Sequence, residues 1–266
     1  MKDDVQKVQA YYEENVDKEW MRIAGRAEFL LTCRMLDRYI KPGDRVLDIG
    51  GGPGRYSLYL AAKGCEVVLL DLAEGNTNFA AQKAEEIGLD LETITGDARQ
   101  VQELTTGTYD HILLMGPMYH LLKESDRVLA LKSAMSLLKV EGVIYVAFLN
   151  LLAGIIYSLR SAPETIILES EHEYLKAVRG NYNYAGDAFT EAFFINYAEI
   201  KPFMAQFPLE TLHLFSQEGI IAMVEKEILS QPEAVKASWL NLCEELWERE
   251  EFLSWSEHLM YIGRKK

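Results

Sequence analysis

Four glycines and one proline fill the five positions Gly50-Gly51-Gly52-Pro53-Gly54. The run before them, Arg45–Ile49, reads as a buried strand, and the run after them, 55–63, reads as a helix closed by Gly64. Glycine takes positive φ angles freely, so such a turn lets a ligand lie against bare main chain. The helix that follows directs its free N–H groups at the same place. In open α/β sheets, ligands bind beyond the carboxyl ends of the strands, which is where this turn falls. A nucleotide pyrophosphate and an amino-acid carboxylate both suit these features.

Three details separate the two. The dinucleotide fingerprint G-x-G-x-x-G requires two residues before its third glycine, whereas here only Pro53 intervenes. Asp48 lies two positions before Gly50, where its charge opposes a pyrophosphate and suits a cationic amino group. Gly96-Asp97-Ala98 adds a further acidic tip after a later strand. No Gly-Lys-Ser/Thr follows the turn, so it is not a P-loop.

Strand and helix patterns alternate from Lys41 to Asn150. Strands are predicted at Arg45–Ile49, 66–70 (ending at Asp71), 91–95, Tyr109–Leu114 and 143–149. Helices are predicted at 27–40, 55–63 and 76–87, with a further one capped by Ser125-Asp126. Strands buried on both faces and separated by helices indicate a parallel sheet between helical layers. Residues 151–208 lose this rhythm and hold ten of the 28 aromatic residues. Phe193 and Tyr197 sit there at helical spacing. The alternation returns at 209–215 and 258–263, predicting two late strands that pair antiparallel around an acidic helical insertion. The expected organisation is therefore residues 1–150 as N-terminal helices plus ligand-binding core, 151–208 as an aromatic-rich helical lid, and 209–266 as the final strands.

With 27 Lys plus Arg against 41 Asp plus Glu, the formal net charge is −14. An acidic surface without a basic patch disfavours double-stranded nucleic acid as a partner. The three cysteines, Cys33, Cys65 and Cys243, have no metal-ligand spacing, and no metal is expected. The charged first twenty residues do not read as a signal peptide, and no uncharged apolar run reaches membrane-spanning length. A cytoplasmic protein that makes no membrane contact is the expectation.

Taken together, Asp48-Ile49-Gly50-Gly51-Gly52-Pro53-Gly54, Asp71 at the end of the second strand, Gly96-Asp97-Ala98, and Tyr109-Asp110 before Ile112-Leu113-Leu114 resemble the ordered motifs of class I S-adenosylmethionine-dependent methyltransferases. The resemblance is strong over about 41–150 and weak over the final strands. Leu137 to Gly142 is similar to that family's L-x-P-G-G turn, but Val140 and Glu141 replace the proline and first glycine. The fold it implies is a Rossmann-like three-layer α/β sandwich with a mostly parallel seven-stranded sheet, its last strand antiparallel, plus the helical lid.

The resemblance also implies a cofactor, S-adenosylmethionine, with S-adenosylhomocysteine as product. Its expected contacts are Asp48, Gly50, Gly51, Gly52, Gly54, Asp71, Leu72, Asp97, Ala98, Met115 and Gly116, with Tyr12 and Arg22 from a covering N-terminal segment. Asp71 would accept both ribose hydroxyls, though a strand-end aspartate also caps helices. Asp97 would meet the adenine amino group or cap the next helix. Asp48 would touch the ligand or order the glycine turn. Asp110 reads as structural and Arg55 as solvated. Tyr119, His120, Tyr182 and Tyr184 are candidates for contacting the acceptor, and His120 is a candidate base for an attacking hydroxyl or amine. The space for the acceptor is expected to be walled by 115–120 and 151–197.

The expected activity is methyl transfer to an O or N atom of a small molecule. The Asn/Asp-Pro-Pro-Tyr-type motif of adenine and amide N-methylation is absent, since Gly116-Pro117-Met118-Tyr119 lacks its leading residue. An NAD-dependent oxidoreductase and a non-catalytic S-adenosylmethionine-binding protein are the alternatives.

Overall fold

The computed structural model describes residues 4–266. Nine strands form a single sheet: β1 (Arg45–Ile49), β2 (Glu66–Asp71), β3 (Glu92–Thr95), β4 (Tyr109–Leu114), β5 (Leu138–Asn150), β6 (Tyr184–Asp187), β7 (Glu191–Ile195), β8 (Leu209–Ser216) and β9 (His258–Lys265). The main path runs β3-β2-β1-β4-β5-β9-β8, and these seven strands are the ones the sequence pattern predicts. The first five in this path are parallel, and β9 lies antiparallel between β5 and β8.

Period-two alternation sorts the core into two layers. Leu47, Ile49, Ile112, Leu114, Ile144 and Val146 face one side of the sheet. Val46, Leu113, Val143 and Tyr145 face the other. Such continuous apolar strands are what helices on both faces require. The β1 register, Leu47 opposite Val68 and Ile112, brings the glycine turn level with the ends of β2 and β4. The predicted helix cap at Ser125-Asp126 is displaced: the helix spans Glu124–Leu137, and Asp126 instead pairs with Arg99 at 3.1 Å.

The segment 151–208 is not helical throughout. Helices at Ala153–Ser161 and His172–Gly180 are followed by the antiparallel hairpin β6–β7. Strand β7 pairs in parallel with the last two residues of β5, Leu149 and Asn150. The helical spacing of Phe193 and Tyr197 is therefore coincidental, because Phe193 lies on β7 and Tyr197 opens the next helix. Phe193 enters the main core while its neighbour Phe194 packs in the lid, the alternation of a strand buried on both faces.

Three N-terminal helices complete the frame: α1 (Asp4–Glu14), α2 (Val16–Ile23) and α3 (Ala27–Tyr39). The glycine turn leads into α4 (Arg55–Ala62), and β2 leads into α5 (Glu74–Glu86). Helix α1 is fastened across the sheet's carboxyl edge. Glu13 accepts from the N–H groups of Glu74 and Gly75 at the start of α5, and Gln9 donates to the Leu72 carbonyl. Lys7 pairs with Glu191 on β7.

Candidate active site

Beyond the carboxyl ends of the strands lies a cavity that is partly open to solvent. Asp48, Gly50, Gly51, Gly52, Asp71, Leu72, Asp97, Ala98, Met115, Gly116, Tyr119, His120, Tyr12 and Arg22 all line it. Residues separated by more than a hundred positions thus meet where the topology predicts a crevice.

The turn folds as its glycines allow. Gly50 has φ +73°, and a Cβ there would come within 2.4 Å of the Pro117 ring, so this backbone packs directly on the loop after β4. Gly54 does not line the cavity. It takes φ +86° at the start of α4, where a Cβ would lie 2.9 Å from that of Ala80, and so lets helix α5 pack close. Arg55 is not simply solvated, since its Nε donates to the Trp20 carbonyl and its guanidinium stacks 3.3 Å from that ring's centre.

The three acidic tips differ in their partners. Asp71 accepts from the N–H groups of Gly52 (2.8 Å) and Ala73 (2.9 Å) and from the Asn76 amide. Burial raises its pKa, and these three donors oppose the rise. Asp97 caps the following turn through the Arg99 N–H and grips the Arg99 guanidinium at 2.6 Å. It therefore caps and borders the cavity at once. Asp48 is fully buried. Its Oδ2 accepts from the Ser57 hydroxyl at 2.7 Å, while its Oδ1 has no partner. Burial pushes this carboxyl up to about 7, against the lowering effect of the Ser57 bond. An orphaned buried carboxylate oxygen is costly unless something completes it.

His120 is buried, and its Nδ1 lies 3.0 Å from the Glu191 carbonyl oxygen. A carbonyl only accepts, so Nδ1 carries the proton and Nε2 is the acceptor. Tyr12 supplies the donor, its hydroxyl 2.7 Å from Nε2. Burial lowers the His120 pKa to about 4, which keeps the ring neutral near pH 7. Burial also drives the Tyr12 phenol well above its ordinary value.

Tyr182 and Tyr184 do not reach the cavity. Tyr182 is exposed, and Tyr184 packs on Tyr174 and Phe194 inside the lid. More broadly, residues 151–197 are absent from the cavity wall. The hairpin instead backs it, with Phe189 against His120 and Tyr11. Helices α1 and α2, which sequence reading placed over the site, line the cavity where residues 151–197 do not.

Sequence reading missed Tyr56, Glu19, Glu28, Gln217 and His258, which also line the cavity. Arg22 bonds Glu19 at 2.7 Å and Glu28 at 3.4 Å. His258 bonds Glu218 at 2.5 Å and stands 4.0 Å from Glu28. Burial alone would lower the His258 pKa, but Glu28 and Glu218 outweigh it and push it up to about 9. Only the spacing of Glu19 and Arg22, three apart on one helix, was visible beforehand.

Comparison with known proteins places this geometry. Residues 46–142 match the family described as "Methyltransferase domain". The ubiquinone biosynthesis O-methyltransferase of Caulobacter vibrioides is 34% identical over 108 residues, covering 41% of this chain and 42% of that protein. Ribosomal RNA small subunit methyltransferase G of Mycolicibacterium vanbaalenii is 34% identical over 88 residues, covering 32% and 38%. The chain thus spans less than half the length of these curated relatives. Magnesium protoporphyrin IX methyltransferase from Synechocystis PCC 6803, crystallised with bound SAH, shares the fold with a TM-score of 0.59 at 16% identity. That likeness covers 99% of this chain and 100% of that one.

Proposed function

Because residues 46–142 form a methyltransferase domain of the class I S-adenosylmethionine-dependent family, we propose that this chain transfers a methyl group from S-adenosylmethionine to an O or N atom of a small molecule. The observation that carries the reading is the unpartnered Oδ1 of Asp48, a residue that lines the same cavity as Gly50–Gly52. A buried carboxylate oxygen without a partner suits the ammonium of an amino acid and repels a diphosphate. Asp71 retains one acceptor site, on Oδ2, for a ribose hydroxyl, since three of its four lone pairs already accept from Gly52, Ala73 and Asn76. Gly96, Asp97 and Ala98 would hold the adenine end, and Met115 and Gly116 the methionine end.

When bound, the cofactor supplies an activated methyl group on a sulfonium. The protein's part is to align an acceptor, exclude water and manage one proton. Tyr12 and His120 suit the last task. As Tyr12 takes a proton from an acceptor O–H or N–H, it passes its own proton to the Nε2 of His120. Glu191 fixes the tautomer that leaves Nε2 free to receive it.

Two features support a small acceptor. Helices α1 and α2 cover part of the cavity, and α1 is fastened at α5 and β7, an arrangement that favours a small acceptor over a polymer. The formal charge of −14 opposes a phosphate backbone. No helix among the described residues is long and apolar enough to cross a membrane.

Calorimetric titration with S-adenosylhomocysteine and with NADH tests the reading. The expected result is binding of the first and not the second. Asp71→Ala is expected to weaken binding by about 2–4 kcal/mol, the scale for removing a buried hydrogen-bonded charge. NADH binding in place of S-adenosylhomocysteine would make the protein an oxidoreductase candidate instead.

A further inference from the structure

The cavity is longer than the cofactor motifs account for. In sheet order, Asp97 follows β3, Asp71 ends β2, the glycine turn follows β1, and Met115 and Gly116 follow β4. These residues occupy the tips of β3, β2, β1 and β4. The remaining wall lies over β5, β9 and β8, where Ala147, His258 and Gln217 stand, with Glu28 facing them from α3. His258 opens β9, five strand spacings or about 24 Å from the β3 tip.

At that far end Glu19, Glu28 and Glu218 stand against the cations Arg22 and His258, which leaves one net negative charge among these five groups. Buried carboxylates require partners. A second observation is independent of charge. Gln217 is 2% exposed, its Nε2 is committed to the Thr32 hydroxyl, and its Oε1 has no partner. Gln217 lines the cavity, and a donor from a bound molecule would complete this acceptor. Tyr56 and Tyr119 also line the cavity.

We infer that the end of the cavity walled by Glu28, Gln217 and His258 is an anchoring subsite for a protonated amine carried by the methyl acceptor, apart from the atom that is methylated. This rests on the methyltransferase reading above. Glu28 provides the charge and Gln217 Oε1 accepts one N–H. Tyr12 and His120 are left to the reacting atom. Ligand atoms of Glu28, Glu218 and His258 lie within 4.8 Å of one another, a spacing a metal could bridge. With Arg22 on Glu28 and His258 protonated, the one net negative charge left there suits a monocation and is too little for a dication.

Three probes with one phenol and different tails test the subsite: 2-(4-hydroxyphenyl)ethylamine, 4-ethylphenol and 3-(4-hydroxyphenyl)propionate. Each is titrated calorimetrically into protein saturated with S-adenosylhomocysteine at neutral pH. The amine is expected to bind at least about tenfold tighter than the neutral and acidic probes. Glu28→Gln and, separately, Gln217→Met are expected to erase most of that preference while S-adenosylhomocysteine affinity stays within about twofold. Equal binding of the acid or neutral probe, no binding of any probe, or a preference that survives both substitutions overturns the subsite. Failure of the wild-type protein to bind S-adenosylhomocysteine overturns the methyltransferase reading instead.

Discussion

The Tyr12 hydroxyl lies 2.7 Å from Nε2 of His120, although 108 positions separate the two residues in sequence. The Glu191 carbonyl on the opposite ring nitrogen makes His120 an acceptor toward Tyr12 and joins three distant segments in one line. Sequence reading offered His120 as a base acting alone. The structure puts Tyr12 on the Nε2 that would have to act.

If the pair acts as a relay, the two residues share one function. Tyr12→Phe and His120→Ala are each expected to lower kcat by about 100-fold, the lower range for a lost acid–base group. The double variant is expected to be little worse than either single one, because residues acting as a unit are not additive. Steady-state rates with any acceptor that is turned over check this, with S-adenosylhomocysteine affinity as the control for folding. Additive losses would break the pairing.

Cofactor affinity is expected to depend on pH through Asp48. Its carboxyl is raised to about 7 by burial, so below that pH it is protonated and must lose the proton before meeting an ammonium. Affinity for S-adenosylhomocysteine is therefore expected to fall by roughly tenfold per pH unit below about 7 and to level off above it. Calorimetry between pH 5.5 and 8.5 reads this slope. Asp48→Asn, with no proton to lose, is expected to bind more weakly at pH 8 and without the slope.

Fold stability is expected to fall on the alkaline side through His258. Its pKa in the folded protein, about 9, lies above the ordinary histidine value, so the folded state holds this proton more tightly. The contribution is fully present below about pH 6.5 and disappears as pH rises through 9. Its size is on the order of 3 kcal/mol. Denaturant unfolding at pH 6.5 and 9.5 measures the difference, and His258→Gln is expected to remove most of it. His120, with its pKa lowered to about 4, acts in a separate window and costs stability as pH falls from 6.5 toward 4.

Glu141 has φ +63° at the bend within β5, a left-handed conformation that disfavours a side chain. The family resemblance expects a glycine at this position, and the backbone keeps the glycine shape. Glu141→Gly is expected to raise stability by about 0.5–1 kcal/mol, the strain relieved being partly offset by greater freedom of the unfolded chain. A shift in denaturant midpoint with unchanged slope and unchanged S-adenosylhomocysteine affinity checks this.

The glycine-turn end of the cavity was legible because its signals are local. Glycines at fixed offsets, an acid at a strand end and a period-two apolar run each act through neighbours in the chain, and Asp48, Asp71 and Gly50–Gly52 all line the cavity. The lid was misread for the same reason. The Phe193 and Tyr197 spacing fits a helix, but β5 extends past the end of β4 and leaves its last two residues open, which recruit β7. No local pattern in 151–208 records that vacancy.

By itself, then, the sequence determined the order of strands and helices from Lys41 to Asn150, the two late strands and the residues of the glycine turn, since backbone preference and apolar periodicity act over a few positions. Only the tertiary structure decided which distant charges share the cavity. Glu28, Gln217 and His258 come from a helix, a strand exit and a strand entry that are joined by the sheet's crossover order. Burial in one low-dielectric space then pairs Glu28 and Glu218 with His258 and leaves Gln217 Oε1 without a partner.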